Sequence, residues 1–268
     1  MISASLIRLF TSVTLLFCLV LVGCVTEETN EGTGERVPQT DKKADKKSAL
    51  NDYITLANGY MKDGKRASAL IAINKGLAID DESPELLNAL AVYYMTDGED
   101  ELAEKEYKKS IRYNSNDTAS YLNYGVFLYG HKRYSEACDM LKKATEDVMY
   151  PKRNAAFLNY GICLKHEGKM EAAEEAFRRS YVNNARNPTV LLQLAELKFE
   201  TGDFEQSTQL YEKLLSMTKQ NAESLWLGIR LAHVMGQEDK QASYALFLKN
   251  EFPSSSQYNE YKVWSESK

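Results

Sequence analysis

The side chains that could do chemistry are few in this sequence of 268 residues, which has four cysteines and three histidines. The histidines lie in separate segments, and no His-Glu-x-x-His, Gly-x-Ser-x-Gly or Gly-x-x-x-x-Gly-Lys-Ser/Thr motif occurs. We interpret His131, His166 and His233 as helix-surface residues rather than as metal ligands or bases. The sequence therefore predicts a protein that is not an enzyme, with no catalytic residue, no metal site, no cofactor and no small-molecule substrate.

One cysteine has a clear chemical context, because it ends an apolar stretch at the N-terminus. Residues 9–22 carry no charge, and as a helix they would span about 21 Å, less than the ~30 Å hydrocarbon core of a bilayer. This length favours a cleaved secretory signal over residues 1–23. The ending Leu21-Val22-Gly23-Cys24 resembles a bacterial lipobox, in which the cysteine is acylated and becomes the new N-terminus.

The lipobox resemblance predicts that Cys24 is lipidated and that the chain is anchored in a membrane. Val25 follows Cys24, whereas inner-membrane lipoproteins usually carry Asp there. We therefore expect an outer-membrane, lipid-anchored protein that faces the periplasm. The alternative is an ordinary signal cleaved elsewhere, with Cys24 incidental.

Residues 24–48 form a polar segment, which we interpret as the lipidated flexible tether. It contains almost no apolar side chain, so it cannot offset the entropy of ordering. Its lysines are balanced by acids, which favours a solvated linker over a lipid-headgroup or nucleic-acid patch. The formal net charge of the whole chain, −5, likewise argues against a nucleic-acid partner.

An internal repeat follows the tether and organises residues 49–255. Gly64, Gly98, Gly168, Gly202 and Gly236 are spaced by 34, 70, 34 and 34 residues. The gap of 70 divides into 34 and 36, which places a missing glycine at Lys132. Small residues recur seven positions before these marks and five after them. Large apolar residues recur nine positions after them, for example Tyr107 and Phe177.

This period is typical of the tetratricopeptide repeat, a helix–turn–helix unit. Glycine permits the turn, small residues let the two helices approach, and the bulky residue fills the space toward the next unit. We therefore predict an all-α fold, a right-handed superhelical solenoid of six tetratricopeptide repeats with about twelve helices. Residues 256–268 are predicted to be a C-terminal cap or tail, with a short helix over the last repeat.

The first helix of each repeat is expected to line the concave face of such a solenoid. In repeats one to four, most of the lining positions are apolar, which is unusual for a surface that meets only water. We predict a partner-binding groove for an apolar helix or strand. Its residues are Ile54, Met61, Val92, Met95, Leu122, Val126, Tyr129, Leu158 and Ile162. The alternative is that these side chains pack on each other or on the tether.

Two more cysteines remain inside the repeats. Cys138 lies in the second helix of repeat three and Cys163 in the first helix of repeat four, two helices that should pack side by side. Because the periplasm is oxidising, a disulfide between them is a possible cross-link. Two buried free thiols are the alternative.

The sixth repeat has a more specific resemblance. Leu225-Trp226-Leu227-Gly228-Ile229-Arg230-Leu231-Ala232 and Asn250-Glu251-Phe252-Pro253 resemble the type IV pilus biogenesis and stability lipoproteins, the PilF/PilW pilotin family. Asn123-Tyr124-Gly125 and Asn159-Tyr160-Gly161 are similar to that family too. The resemblance implies an outer-membrane adaptor that binds the pilus secretin, promotes its localisation and multimerisation, and supports pilus stability and twitching motility. We expect this adaptor to be monomeric.

Two other functions remain as alternatives on the sequence alone. One is a repeat lipoprotein that scaffolds another cell-envelope or β-barrel assembly complex. The other is an enzyme with a repeat domain, which is poorly supported because no block outside the repeats is large enough for a catalytic domain.

Overall fold

The computed structural model describes residues 39–267, and the predicted signal and Cys24 lie outside these residues. Helices alone, without strands, make up the regular structure of this range. In chain order they are α1 (Gln39–Lys62), α2 (Arg66–Leu77), α3 (Pro84–Asp97), α4 (Asp100–Tyr113), α5 (Thr118–Gly130), α6 (Tyr134–Ala144), α7 (Arg153–His166), α8 (Met170–Asn183), α9 (Pro188–Glu200), α10 (Phe204–Leu215), α11 (Ala222–Val234), α12 (Glu238–Glu251) and α13 (Ser256–Glu266).

The helices pack as six consecutive pairs, from α1 with α2 to α11 with α12, and α13 packs on the last pair. Each pair also contacts the pair that follows it. This arrangement confirms the all-α fold of six helix–turn–helix repeats and the C-terminal capping helix. The odd-numbered helices α1 to α11 are the first helices of their repeats. None of the described helices has the length and apolar character needed to cross a membrane.

Helix α1 begins inside the segment predicted to be a flexible tether. Its start at Gln39 makes residues 39–48 helical, so the tether prediction is wrong for that part of residues 24–48. The four lysines and Ala44 of this stretch favour helix, and a helix already nucleated by the first repeat extends at little cost. Ala44 to Lys47 are exposed, which explains why composition alone suggested a linker.

The two helices of a repeat approach each other most closely at the small residues that the period predicted. A Cβ atom at Gly161 would lie 2.5 Å from Cε1 of Phe177, and one at Gly125 would lie 2.7 Å from Cγ of Leu141. These contacts join the small position of α5 or α7 to the large position of the next helix. Both large side chains are almost completely buried. Glycine at these sites therefore leaves room for a large side chain of the second helix to pack directly against the backbone of the first.

The sixth repeat reverses these sizes. Its small position holds Ile229, which is fully buried, and its large position holds Ala245. The close contact moves to Gly228, against which the rings of Tyr211 and Tyr244 pack. The last pair is thus packed by different residues from the others, which agrees with its position at the end of the stack.

The turns inside the repeats use left-handed backbone conformations. Gly64, Gly98, Gly168, Gly202 and Gly236 have φ between 66° and 82°. In repeat three the same place is taken by Lys132, which has φ 61° and is the one non-glycine residue with positive φ in the described range. Its hydrogen bonds match those at Gly98, since in each case the next residue donates to the carbonyl five positions before it. Lys132 therefore has the backbone conformation of the turn glycines, as its place in the repeat predicted.

A disulfide joins repeats three and four. Cys138 of α6 and Cys163 of α7 are bonded, with their Cα atoms 5.6 Å apart. The bonded residues are those that the sequence offered as a possible cross-link, and the two helices pack side by side. Both residues are buried, so the bond is shielded from solvent. It closes a loop with a sequence separation of 25 residues.

We predict that Lys132→Gly stabilises the fold. A left-handed conformation costs a residue with a Cβ atom about 1–2 kcal/mol, whereas glycine costs about 0.5–1 kcal/mol through the unfolded chain. The net gain should be roughly 0.5–1 kcal/mol, measurable as a higher midpoint in urea. Lys132→Ala keeps the Cβ atom and is the matched control, which should show no gain. A Lys132→Gly protein less stable than the wild type would contradict this interpretation.

We predict that the disulfide contributes about 3 kcal/mol through the restricted unfolded chain. Reductant should lower the urea midpoint of the wild type but leave that of the double variant Cys138→Ala, Cys163→Ala unchanged. The variant is the control for direct effects of reductant on the fold. Detection of two free thiols in the unfolded, unreduced wild-type protein would show that the bond does not form.

Candidate functional site

A pocket of about 680 Å³ opens on the face formed by the first helices of repeats one to three. We call it the inner pocket. Helices α1, α3 and α5 contribute its floor, and the long connection between α6 and α7 forms one wall. Its lining residues are Asn58, Gly59, Met61, Lys62, Glu85, Asn88, Ala89, Val92, Asp117, Ala119, Asn123, Tyr150, Pro151 and Lys152.

The nine predicted groove residues lie in three different environments: the inner pocket, the exposed surface and the hydrophobic clusters. Met61 and Val92 line the inner pocket. Val126 is exposed, with 40% of its surface accessible, and it shares a helix face with Ala119 and Asn123 of the pocket, seven and three residues away. The other six pack against hydrophobic clusters of the solenoid: Ile54, Met95, Leu122, Tyr129, Leu158 and Ile162.

Leu122 was predicted to line the groove, but it is a buried core residue. It is only 6% exposed and belongs to the core between repeats two and four, so it cannot contact a partner in the folded protein. Packing of the lining residues on each other, the alternative interpretation, accounts for most of the apolar positions. The surface that remains open is smaller and more polar than the sequence suggested.

The wall of the inner pocket is held by hydrogen bonds. The carboxylate of Asp147 accepts from the hydroxyl of Thr118 at 3.0 Å and from the backbone N–H of Met149 at 2.9 Å. The guanidinium of Arg153 donates to the carbonyl of Thr145 at 2.8 Å. These bonds position Tyr150 at the pocket edge, where burial raises the pKa of its hydroxyl.

Two asparagines meet on the floor of the inner pocket. Nδ2 of Asn123 donates to Oδ1 of Asn88 at 3.1 Å, which links α5 to α3. Asn88 is nine-tenths buried, whereas Asn58 on α1 is exposed. The pocket thus combines amide groups with the apolar surfaces of Met61, Ala89 and Val92.

The same face carries paired charges in repeats four to six. Lys165 of α7 lies 3.4 Å from a carboxylate oxygen of Glu196 on α9, and Arg230 of α11 lies 3.7 Å from the other oxygen. The guanidinium of Arg230 also stacks on the rings of Phe199 and Trp226, at 4.9 and 5.1 Å. Burial raises the pKa of Glu196, which the two cations oppose. These charges are paired with each other within the chain.

Helix α13 covers the end of this charged half with aromatic rings. Tyr261 and Trp264 lie edge-on to Trp226, with ring centroids 6.3 and 5.6 Å apart. Tyr258 packs into the same cluster. The cap therefore closes the end of the last repeat and leaves the inner pocket untouched.

Several pocket residues were missed by the sequence analysis. Asn58 and Asn88 occupy the expected lining positions, but they are polar, so a groove predicted from apolar residues does not include them. The Asn-Tyr-Gly sequence that begins at Asn123 stood out only as a family resemblance. Its recurrence at Asn159 was the one signal that could have indicated a positioned amide. Within residues 39–267, no cluster of side chains could hold a metal ion.

Comparison with known proteins defines the class of this fold. Tetratricopeptide repeat models match residues 128–188, 84–117 and 188–221. The chain is a tetratricopeptide repeat solenoid, as the period of 34 predicted.

The particular family follows from one relative and two solved structures. The chain is 37% identical to the type IV pilus assembly protein PilF of Pseudomonas aeruginosa over 249 residues, which cover 92% of this chain and 96% of PilF. A solved structure of that PilF superimposes with a TM-score of 0.75 over 81% of this chain and 98% of PilF. PilW, described as a widely conserved type IV pilus biogenesis factor, gives 0.69 at 25% identity, over 79% of this chain and 97% of PilW. The chain belongs to the PilF family of type IV pilus biogenesis proteins.

We predict opposite outcomes for two apolar residues one turn apart on α5. Leu122→Asp places a carboxylate in the core and should cost several kcal/mol, enough to lower the melting temperature by more than about 5 °C. Val126→Asp changes an exposed position and should shift the melting temperature by no more than about 2 °C. Circular dichroism on both variants checks this, and equal destabilisation would show that Val126 is a core residue.

Proposed function

We propose that this protein is the outer-membrane pilotin of a type IV pilus. In this proposal it is a lipid-anchored adaptor that faces the periplasm, binds the pilus secretin, and promotes its outer-membrane localisation and multimerisation and the stability of the pilus. The observation that carries the proposal is the identity of 37% to PilF over 92% of the chain. The lipobox ending at Cys24 supports the anchor, and the open inner pocket supports binding of another polypeptide.

The arrangement of the described residues suits an adaptor. In repeats four to six, the charged groups pair with each other and aromatic rings stack on Arg230. The open pocket in repeats one to three is lined by apolar and amide groups rather than by a set of nucleophiles or bases. Such a surface acts by holding a partner. Fifteen peptide links separate Cys24 from the start of α1, which allow at most about 50 Å between the lipid anchor and the solenoid. A bound secretin subunit would then stay close to the bilayer.

The anchor is tested by Cys24→Ser. Without the thiol no lipid can be attached, so the protein should appear in the soluble fraction or accumulate as uncleaved precursor. Membrane fractionation followed by immunoblotting checks this. Unchanged recovery in the outer-membrane fraction would refute lipidation at Cys24.

The partner is tested by capture of secretin fragments on the full chain purified in detergent. Wild-type protein should retain a secretin fragment, and Val126→Asp should retain less, because it places a charge beside the inner pocket. Ile71→Asp is the matched control, since Ile71 is 57% exposed but lies on the second helix of repeat one, outside the pocket. Equal binding by both variants would place the interaction elsewhere.

Gene deletion tests the role in the cell. Loss of secretin multimers and of twitching motility is expected. Intact multimers and pili with a general envelope defect would instead indicate a scaffold for another assembly complex.

A further inference from the structure

One edge of the solenoid exposes large apolar side chains. This edge is formed by the connections that join one repeat to the next, and we call it the junction edge. The turns inside the repeats lie at the opposite edge, the turn edge. In the connection between α6 and α7, Val148 is 69% exposed and Met149 is 83% exposed. Val182, near the end of α8, is 80% exposed. Neighbouring exposed apolar side chains with a polar rim are typical of an interaction surface.

Basic side chains surround these three apolar residues. Residues 142–153 contain four bases and two acids, and residues 178–188 contain three bases and no acid. Arg153 and Arg179 lie 5.1 and 5.2 Å from the ring of Phe157, so the two connections are neighbours. We call this surface the basic edge. Its exposed members are Lys142, Lys143, Val148, Met149, Arg178, Arg179, Val182 and Arg186.

The charge elsewhere on the two edges has the opposite sign. On the turn edge, residues 97–101 contain four acids and residues 200–205 contain three, in both cases without a base. The other turns carry both signs. On the junction edge, residues 80–85 after repeat one contain four acids and no base. A chain with a net charge of −5 is repelled by an anionic surface as a whole, but this distribution turns the basic edge toward such a surface.

The N-terminal part of the chain leaves the solenoid from the junction edge. Each first helix begins at this edge, because the connections between repeats lead into the first helices. Helix α1 begins 25 residues before Gly64, whereas α3 begins 14 residues before Gly98. The 11 additional residues carry α1 about 16 Å beyond the junction edge. The turn edge lies about 20 Å away in the other direction, so a lipid at Cys24 favours the junction edge as the side near the bilayer.

From these observations we propose that the basic edge lies on the membrane surface. Its cations contact anionic phospholipid headgroups, and Val148, Met149 and Val182 enter the interface, a combination typical of peripheral membrane binding. The extension of α1 keeps the acidic connection after repeat one off the bilayer, so the solenoid is tilted and repeats three and four make the contact. This inference goes beyond the proposed function but rests on its lipid anchor.

The test places an environment-sensitive nitrobenzoxadiazole label on the lipidated full chain in vesicles. Met149→Cys and Val182→Cys supply the labelling sites on the basic edge. Met235→Cys is the matched control, since Met235 is also an exposed residue but lies on the turn edge. Vesicles of phosphatidylcholine alone are compared with vesicles that also contain phosphatidylglycerol. The anchor holds the protein on both, so any difference reports the contact of the edge with the lipid.

Labels at Met149 and Val182 should become brighter and blue-shifted on the anionic vesicles, and the label at Met235 should not change. Salt at about 0.5 M should abolish the difference, because it screens charges at the surface. With Lys142→Gln and Arg186→Gln together, the equilibrium between docked and undocked protein should fall roughly 30-fold, about fivefold for each cation. Lys65→Gln with Lys169→Gln removes two exposed cations from the turn edge, and this control should leave docking unchanged.

The outcomes separate docking from the anchor and from a protein partner. Equal emission of the Met149 and Val182 labels on both kinds of vesicle overturns docking, leaves the anchor in place, and makes a protein the occupant of the basic edge. A response of the Met235 label alone reverses the orientation and also overturns it. Protein that stays on anionic vesicles but washes off neutral ones supports the basic edge and refutes the anchor. Loss from both kinds of vesicle overturns both.

Discussion

The close approach of the two helices within each repeat is the constraint on which the rest of this structure depends. In repeats one to five it places a residue with little or no side chain on the first helix against a large apolar residue on the second, as at Gly161 and Phe177 or at Gly125 and Leu141. Because side chains in a core are packed at crystal-like density, the pair has little freedom to change its angle. Repetition of one such pair at a fixed spacing then places all the first helices on one side, where their free faces form a continuous surface.

That surface has two parts, which differ in the side chains that they present. Repeats four to six present Lys165, Glu196 and Arg230 in mutual contact, with aromatic rings stacked on the arginine and a capping helix at the end. Repeats one to three present amides and methyl-bearing side chains around an open pocket. The charged half is therefore largely satisfied by the chain itself, whereas the other half leaves an open pocket. In the proposed function, the half with the open pocket is the one that would bind a partner.

The junction of repeats three and four concentrates the departures from the regular repeat. It contains the disulfide of Cys138 and Cys163 and the long connection whose residues wall the inner pocket. The left-handed Lys132 lies just before it, in the turn between the two helices of repeat three. The two helices that this connection joins pack closely, and the disulfide adds a covalent cross-link between the same two repeats. The pocket wall thus stands on a segment held at both ends, by the disulfide-linked helices and by the hydrogen bonds of Asp147.

The amino-acid sequence by itself determined the repeat, the number of helix pairs and the place of the missing glycine, because each is a local feature repeated at a fixed period. It offered Cys138 and Cys163 only as a possible disulfide, and the packing of α6 against α7 brings the two residues together. The left-handed turn at Lys132 illustrates this, since its neighbours fix the backbone whatever the residue. The extent of α1 and the content of the pocket were decided by the tertiary structure alone. Leu122 and Val126 are both apolar residues of one helix, yet one is core and the other is exposed, because the curvature of the stack buries some positions of a helix face and opens others. The pairing of Asn88 with Asn123 likewise joins residues 35 positions apart, and only the packing of α3 against α5 brings their amides within hydrogen-bonding distance.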